Sequence, residues 1–159
     1  MYAVKYKGYP RVVEKVMAPL MANLLGGGRF HLVVPVPWHR ARLAKRGFNQ
    51  AELMARRVAE RINALVLDKL KVVRRTRDQV ELSAEQRRTN VLGAYTARGP
   101  VAGKILLVDD VFTTGGTLSE CAEALRKVDT KEVQALTCAG RVSCRLSALS
   151  NPQRTKADR

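Results

Sequence analysis

The 159-residue sequence is poor in cysteine, aromatic residues and acidic residues. Its three cysteines, Cys121, Cys138 and Cys144, are too few and too unevenly spaced for a disulfide framework, and they lack the CxxC pairs of a zinc site. No apolar run approaches the roughly 18 residues of a membrane span, and no signal peptide precedes the first charged residues. These absences predict a cytoplasmic protein with no membrane insertion and with cysteines that act as small apolar residues.

Positive charge is abundant instead. Lysine and arginine number 29 against 14 acidic residues, which gives a net charge of +15. The excess extends along the whole chain except residues 91–120, where acidic residues slightly outnumber basic ones. Such a balance favours an anionic partner, either a polyphosphate substrate, nucleic acid or an acidic surface. The alternative is a charged surface that serves solubility alone.

Length and an apolar content of 46% predict one folded domain, which we place at residues 1–149, followed by a disordered polar tail at 150–159. Hydrophobic spacing predicts helices over 10–25, 50–64 and 117–128, and strands over 31–36, 65–73, 104–108 and 132–138. Pro19 predicts a break in the first helix. Residues 37–49 are interpreted as a basic loop, and residues 74–90 as a mobile loop or a short exposed helix. Strands that alternate with helices indicate βαβ units and a parallel sheet.

The stretch LLVDDVFTTGGT, residues 106–117, carries the most specific chemistry. Asp109 and Asp110 follow a strand that is apolar on both faces, and ligands of α/β sheets bind at that carboxyl end. The threonine- and glycine-rich turn after them leads into a helix whose first N–H groups form a phosphate cradle. The carboxylates can accept hydrogen bonds from two neighbouring hydroxyls and can help to hold Mg²⁺. A ribose 5-phosphate fits this arrangement, whereas the P-loop and GxGxxG signatures are absent from the sequence.

The same stretch resembles the motif with which type I phosphoribosyltransferases bind phosphoribosyl pyrophosphate (PRPP). The segments VPVPWHRARLAKRGFNQAELMA (34–55), RTRDQVELSAEQRRTNVLGAY (75–95) and VKYKGYP resemble one branch, the ComF family, which is associated with bacterial competence. The resemblance implies the type I phosphoribosyltransferase fold, a twisted parallel sheet of about five strands with helices on both faces. It also implies PRPP as a ligand and Mg²⁺ as a cofactor.

The resemblance also assigns roles to residues. Asp109 and Asp110 would contact the ribose hydroxyls as the catalytic pair, and would hold Mg²⁺ directly or through water and the ribose. The residues expected to bind the 5′-phosphate are Thr113, Thr114, Gly115, Gly116 and Thr117. Those of the pyrophosphate loop are His39, Arg40, Arg42 and Arg46. Those of a flexible loop over the site are Arg75, Arg77, Arg87 and Arg88.

Two departures from the family pattern affect function. ComF proteins commonly begin with a cysteine-rich zinc module that has no counterpart in this sequence, so no zinc is expected. Thr113 stands where purine-type members place a carboxylate for the base, so no general acid or base for a nucleobase is apparent. Trp38 and Phe48 beside the basic loop either stack on a base or pack against the core.

Three functions remain open at this point. The first is a phosphoribosyltransferase, of the glycosyltransferase class, that transfers ribose 5-phosphate to an unknown acceptor and releases pyrophosphate. The second is a non-catalytic PRPP- or nucleotide-binding competence factor that binds single-stranded DNA during DNA uptake. The third is an adaptor for proteins of the competence machinery.

Overall fold

A computed structural model describes residues 13–25, 28–74, 76, 86, 89–128, 130 and 132–139. The helical elements are a π-helical turn at Val13–Met17, α1 at Ala18–Asn23, α2 at Arg40–Arg46, α3 at Gln50–Ile62 and α4 at Gly116–Arg126. The strands are β1 at Leu32–Pro35, β2 at Leu65–Val66, β3 at Leu70–Val72, β4 at Tyr95–Ala97, β5 at Lys104–Val111 and β6 at Glu132–Ala139.

The central sheet has the strand order β2-β1-β5-β6, and every neighbouring pair is parallel. From β1 the chain continues through α3 to β2 on one side, and from β5 it continues through α4 to β6 on the other. The carboxyl ends of β1 and β5 therefore form a topological switch point, where α/β sheets bind ligands. The predicted α/β fold with a parallel sheet is confirmed, with four strands of this sheet among the described residues rather than about five.

Both faces of the sheet are covered by helices, which explains why residues 105–110 of β5 are all buried. On one face, Ile105 and Leu107 pack with the inner side of α4. On the other face, Leu106 and Val108 pack with α1 and α3. The core residues that the helices contribute include Leu118, Cys121 and Leu125 from α4, Met54 and Val58 from α3, and Met21 from α1. Cys121 is buried as predicted, whereas Cys138 on β6 is only partly buried.

The prediction of a loop over residues 37–49 was wrong, because α2 occupies its middle. None of the residues of α2 is buried, so the helix carries no hydrophobic pattern that a sequence could reveal. Its ends are well defined: the Ala41 N–H donates to Nδ1 of His39 (3.2 Å), and Gly47 ends the helix with a left-handed φ of 80°.

Pro19 lies in the first turn of α1, directly after the π-helical turn Val13–Met17, so the helical run changes type where a break was predicted. Two strand boundaries differ from the prediction. The predicted strand 65–73 divides into β2, in the central sheet, and β3, which pairs antiparallel with β4. β5 continues to Val111, so the two aspartates lie inside the strand instead of after it. In the described part of the chain, the helices are all too short or too polar to cross a membrane.

Candidate functional site

The two adjacent carboxylates lie at the carboxyl end of β5 and are nearly buried. Asp109 is 7% exposed and Asp110 is 8% exposed. The Asp110 N–H donates to Oδ1 of Asp109 at 2.8 Å. Because successive residues of a strand point to opposite faces, Asp109 belongs to the α4 face and Asp110 to the α3 face. The two carboxylates therefore lie on opposite faces of the sheet at the end of β5.

Burial gives Asp109 unusual acid–base properties. Desolvation, followed by the negative charge of Asp110, raises the pKa of Asp109 to about 8. The Asp110 N–H and the charge of Arg42 act in the opposite direction. The charged form of such a buried carboxyl is stabilised by any ligand that brings hydroxyl donors or a cation to it.

The turn after β5 presents the start of α4 to the same crevice. The Phe112 N–H donates to the Ala139 carbonyl at 2.7 Å, which fixes the entry to the turn. Gly115 is the N-cap of α4 with a left-handed φ of 76°, and it makes no side-chain cap hydrogen bond. A Cβ at this position would lie 3.0 Å from the Phe112 ring. The first N–H groups of α4 are therefore arranged as in helix N-termini that bind anions.

The segment after β1 is bonded to the carboxyl-terminal half of β5. The Val36 N–H donates to the Val108 carbonyl at 2.9 Å, and Nδ2 of the buried Asn49 donates to the Val36 carbonyl at 2.9 Å. Asn49 also caps α3 by accepting from the Ala51 N–H at 3.0 Å. Both ends of residues 36–49 are thereby held against the carboxyl end of the sheet, with α2 between them.

The four residues predicted to bind pyrophosphate do not have equivalent positions. Arg42 is close enough to Asp109 to lower the pKa of that carboxyl, and its guanidinium carbon lies 4.2 Å from the centroid of the Trp38 ring. Arg46 lies 5.3 Å from the same centroid. His39 serves as the N-cap of α2, and Arg40 is exposed. Of the four, Arg42 is the residue whose charge acts on Asp109.

Trp38 contacts arginines of α2, and its stacking on a base stays a prediction. Its side chain is partly buried, and the arginines of α2 lie over its ring. The indole is therefore a platform for guanidinium groups.

Tyr95 of β4 is a site neighbour that the sequence interpretation missed. It packs against the α4 core, and burial, followed by the nearby Cys121 and Asp109, raises its pKa well above its ordinary range. A hydrogen bond between the Tyr95 and Thr117 hydroxyls acts in the opposite direction. Burial, followed by Asp109, likewise raises the pKa of the Cys121 thiol. The sequence indicated Tyr95 only through its position as the last residue of the ComF-like stretch 75–95.

The carboxylate oxygens of the aspartate pair are of the kind that Mg²⁺ prefers. Mg²⁺ is usually held by one or two carboxylates together with substrate phosphates. Asp109 and Asp110 supply such oxygens, and within the described ranges there is no cluster of three or more His, Cys, Asp or Glu residues that could hold a metal alone. The residues fit a Mg²⁺ ion shared with a phosphorylated ligand, and Mg²⁺ binding stays a prediction.

Most of the predicted flexible loop lies outside the described residues, and so do the tail at 150–159 and Cys144. This applies to Arg75, Arg77, Arg87 and Arg88, whose assigned role stays a prediction. The described residues on either side of the segment are joined. The Arg74 guanidinium donates to the carbonyls of Asn90 (2.9 Å) and Leu92 (2.7 Å), and the Gly93 N–H donates to Glu120 of α4 (2.8 Å).

Comparison with known proteins gives consistent matches. The sequence profile of the phosphoribosyl transferase domain matches residues 43–157. Competence protein F of Haemophilus influenzae is 36% identical over 108 residues, which cover 64% of this chain and 47% of that protein. DNA utilization protein YhgH of Salmonella typhi is 36% identical over 104 residues, 64% of this chain and 46% of that protein. Competence protein ComFC of Streptococcus pneumoniae is 28% identical over 131 residues, 79% of this chain and 56% of that protein. The chain spans about half the length of the curated relatives it matches.

Proposed function

The chain belongs to the phosphoribosyl transferase domain family as a ComF-type member, and from that premise we propose that it binds PRPP in the crevice between β1 and β5 and transfers ribose 5-phosphate to an acceptor. One observation supports this most strongly. The aspartate pair, the glycine-containing turn before α4 and the Arg42 guanidinium converge at the switch point of the sheet. Each matches one part of PRPP: the ribose hydroxyls, the 5′-phosphate and the diphosphate.

Different residues would bind the 5′-phosphate, the ribose and the diphosphate of PRPP. The turn from Thr113 to Thr117 would hold the 5′-phosphate with backbone N–H groups and hydroxyls. Asp109 and Asp110 would accept hydrogen bonds from the 2′- and 3′-hydroxyls. Arg42, with Arg46 beside it, would face the diphosphate.

In the reaction, the bond between C1′ and the diphosphate oxygen breaks, and the diphosphate leaves with the electron pair. A bond from the acceptor to C1′ replaces it. Positive charge develops on the ribose ring in between, so the carboxylates below the ring and the guanidinium at the leaving group stabilise the transition state. When bound, Mg²⁺ supplies further neutralisation of the diphosphate, and Asp109 and Asp110 would hold it.

The test is ³¹P NMR of PRPP incubated with the protein, Mg²⁺ and candidate acceptors. The proposal expects an acceptor-dependent pyrophosphate signal that disappears in Asp110→Asn. Asp68→Asn, which changes an exposed carboxylate near β3, is the matched control and should retain activity. PRPP that stays intact with every acceptor would contradict transfer.

A second candidate function has its own support. The exposed residues of α2 include Arg40 and Lys45, and the helix contains no acidic residue. Two of the relatives are named as a competence protein and a DNA utilization protein. We infer from these observations an alternative in which the pocket binds PRPP or a nucleotide without turnover, while the basic surface binds single-stranded DNA. Binding of both ligands without pyrophosphate release would favour this alternative over transfer.

A further inference from the structure

Trp38 follows a short segment that is unusually well fixed. Pro35 and Pro37 restrict the backbone on both sides of Val36. The Val36 N–H is bonded to β5, and its carbonyl accepts from the buried Asn49 side chain, both at 2.9 Å. The backbone that leads into Trp38 is therefore fixed relative to the carboxyl end of β5.

The helix that follows depends on this indole. No residue of α2 is buried, so α2 lacks the apolar contact that stabilises most short helices. Arg42 and Arg46 are also four residues apart, a spacing at which like charges repel. Both guanidinium carbons lie over the Trp38 ring, at 4.2 Å and 5.3 Å from its centroid. At this range the attraction of a guanidinium to an indole exceeds the repulsion of an exposed like-charged helical pair.

We propose that Trp38 is a positioning residue for the leaving-group side of the site: its indole holds Arg42 and Arg46 together on the face of α2 that is turned to the aspartates, where they meet the diphosphate. This inference rests on the proposed function. Arg42 is near enough to act electrostatically on both Asp109 and Tyr95, so the guanidinium over the Trp38 ring lies in the neighbourhood of the crevice. Trp38 itself is not expected to touch the ligand.

The rival explanation is that Trp38 only stabilises the fold. The two roles differ in which ligand they affect. A general loss of structure weakens every ligand of the crevice, whereas misplaced arginines weaken only ligands that carry the diphosphate. Inorganic pyrophosphate with Mg²⁺ reports on the arginine side, and ribose 5-phosphate reports on the aspartates and the turn.

The experiment is calorimetric titration of both ligands into the full chain, two Trp38 variants and one control variant. Trp38→Leu keeps apolar volume without an aromatic face, and we expect it to weaken pyrophosphate binding about fivefold or more while ribose 5-phosphate affinity stays within about twofold. Trp38→Phe keeps an aromatic face and should lie between Trp38→Leu and the unchanged protein. Phe30→Leu is the control, since it removes a cation–π contact with Lys104 (5.0 Å) at the opposite end of the sheet and should affect neither ligand selectively.

Fluorescence gives a second readout, because Trp38 is the single tryptophan of the chain. Pyrophosphate should change its emission with the midpoint found by calorimetry, and ribose 5-phosphate should change it less. Unchanged pyrophosphate affinity in Trp38→Leu, or an equal loss for both ligands, would overturn the positioning role. Failure of the unchanged protein to bind either ligand would refute the proposed function itself, and this inference with it.

Discussion

Replacing Asp109 by Asn should make the protein more stable while making it a poorer PRPP binder. The carboxyl titrates near its ordinary value of 3.8 in the unfolded chain and near 8 in the folded one. Between these values the folded state binds more protons than the unfolded state, so the free energy of unfolding falls as the pH rises. Asparagine keeps the size of the side chain and the oxygen that accepts from the Asp110 N–H, but it carries no charge to desolvate.

The magnitude follows from the width of that pH window. Each pH unit inside it costs about 1.4 kcal/mol. We therefore expect Asp109→Asn to raise the free energy of unfolding by about 1–2 kcal/mol at pH 5 and by about 4 kcal/mol at pH 7. By the usual scaling for a domain of this size, the pH 7 value corresponds to a rise in Tm of about 6 °C or more. PRPP affinity should fall about tenfold or more above pH 8, where the carboxyl is ionised and makes charge-assisted hydrogen bonds to the ribose that asparagine cannot make.

The assay is urea denaturation of the unchanged protein and the variant at pH 5, 6, 7 and 8 without ligand. Asp68→Asn serves as the control, because this carboxylate is exposed and its ion pair with Arg98 (3.4 Å) is worth little. Its stability should differ from that of the unchanged protein by about 0.5 kcal/mol at most at every pH. An Asp109→Asn variant that is less stable at pH 7, or whose gain does not grow with pH, would refute the reasoning.

Two further predictions concern the turn and the surface charge. Gly115→Ala should lower the free energy of unfolding by about 1–2 kcal/mol for the left-handed backbone and by more for the contact of the new Cβ with Phe112. Gly99→Ala, at a φ of 82° with open space around it, should lose the backbone contribution alone. Thermal unfolding measures both losses, and equal losses would argue against the contact. Single-stranded DNA should bind weakly, with log K falling against log salt at a slope near −3 to −4 for about four to six phosphates. Fluorescence anisotropy at several salt concentrations measures this slope, and no binding at low salt would leave the net charge of +15 as a solubility feature.

The parts of the fold that were predictable are those with a strong hydrophobic period. β5 and the helices α3 and α4 were found within a few residues, because each buries a continuous stripe or run of apolar side chains. The end of β5 was placed too early, since Asp109 and Asp110 interrupt the apolar run. The ladder nevertheless continues through them, because β6 supplies partners as far as Ala139.

The missed parts depend on contacts between distant residues. α2 carries no apolar face, and its stability comes from its caps and from Trp38, which local periodicity cannot reveal. Tyr95 becomes a neighbour of Asp109 only because the β3–β4 pair packs beside α4. The aspartates and the turn were recognisable because their chemistry is contained in one continuous stretch of sequence.

The most direct measurement for the central claim is calorimetric titration of PRPP with Mg²⁺ into the unchanged protein, Asp110→Asn and the surface control Asp68→Asn. If the crevice between β1 and β5 is the PRPP site, the unchanged protein and Asp68→Asn bind with the same affinity, and Asp110→Asn binds about tenfold or more weakly. Equal affinity in all three proteins would place PRPP elsewhere, and absence of binding to the unchanged protein would contradict the assignment altogether.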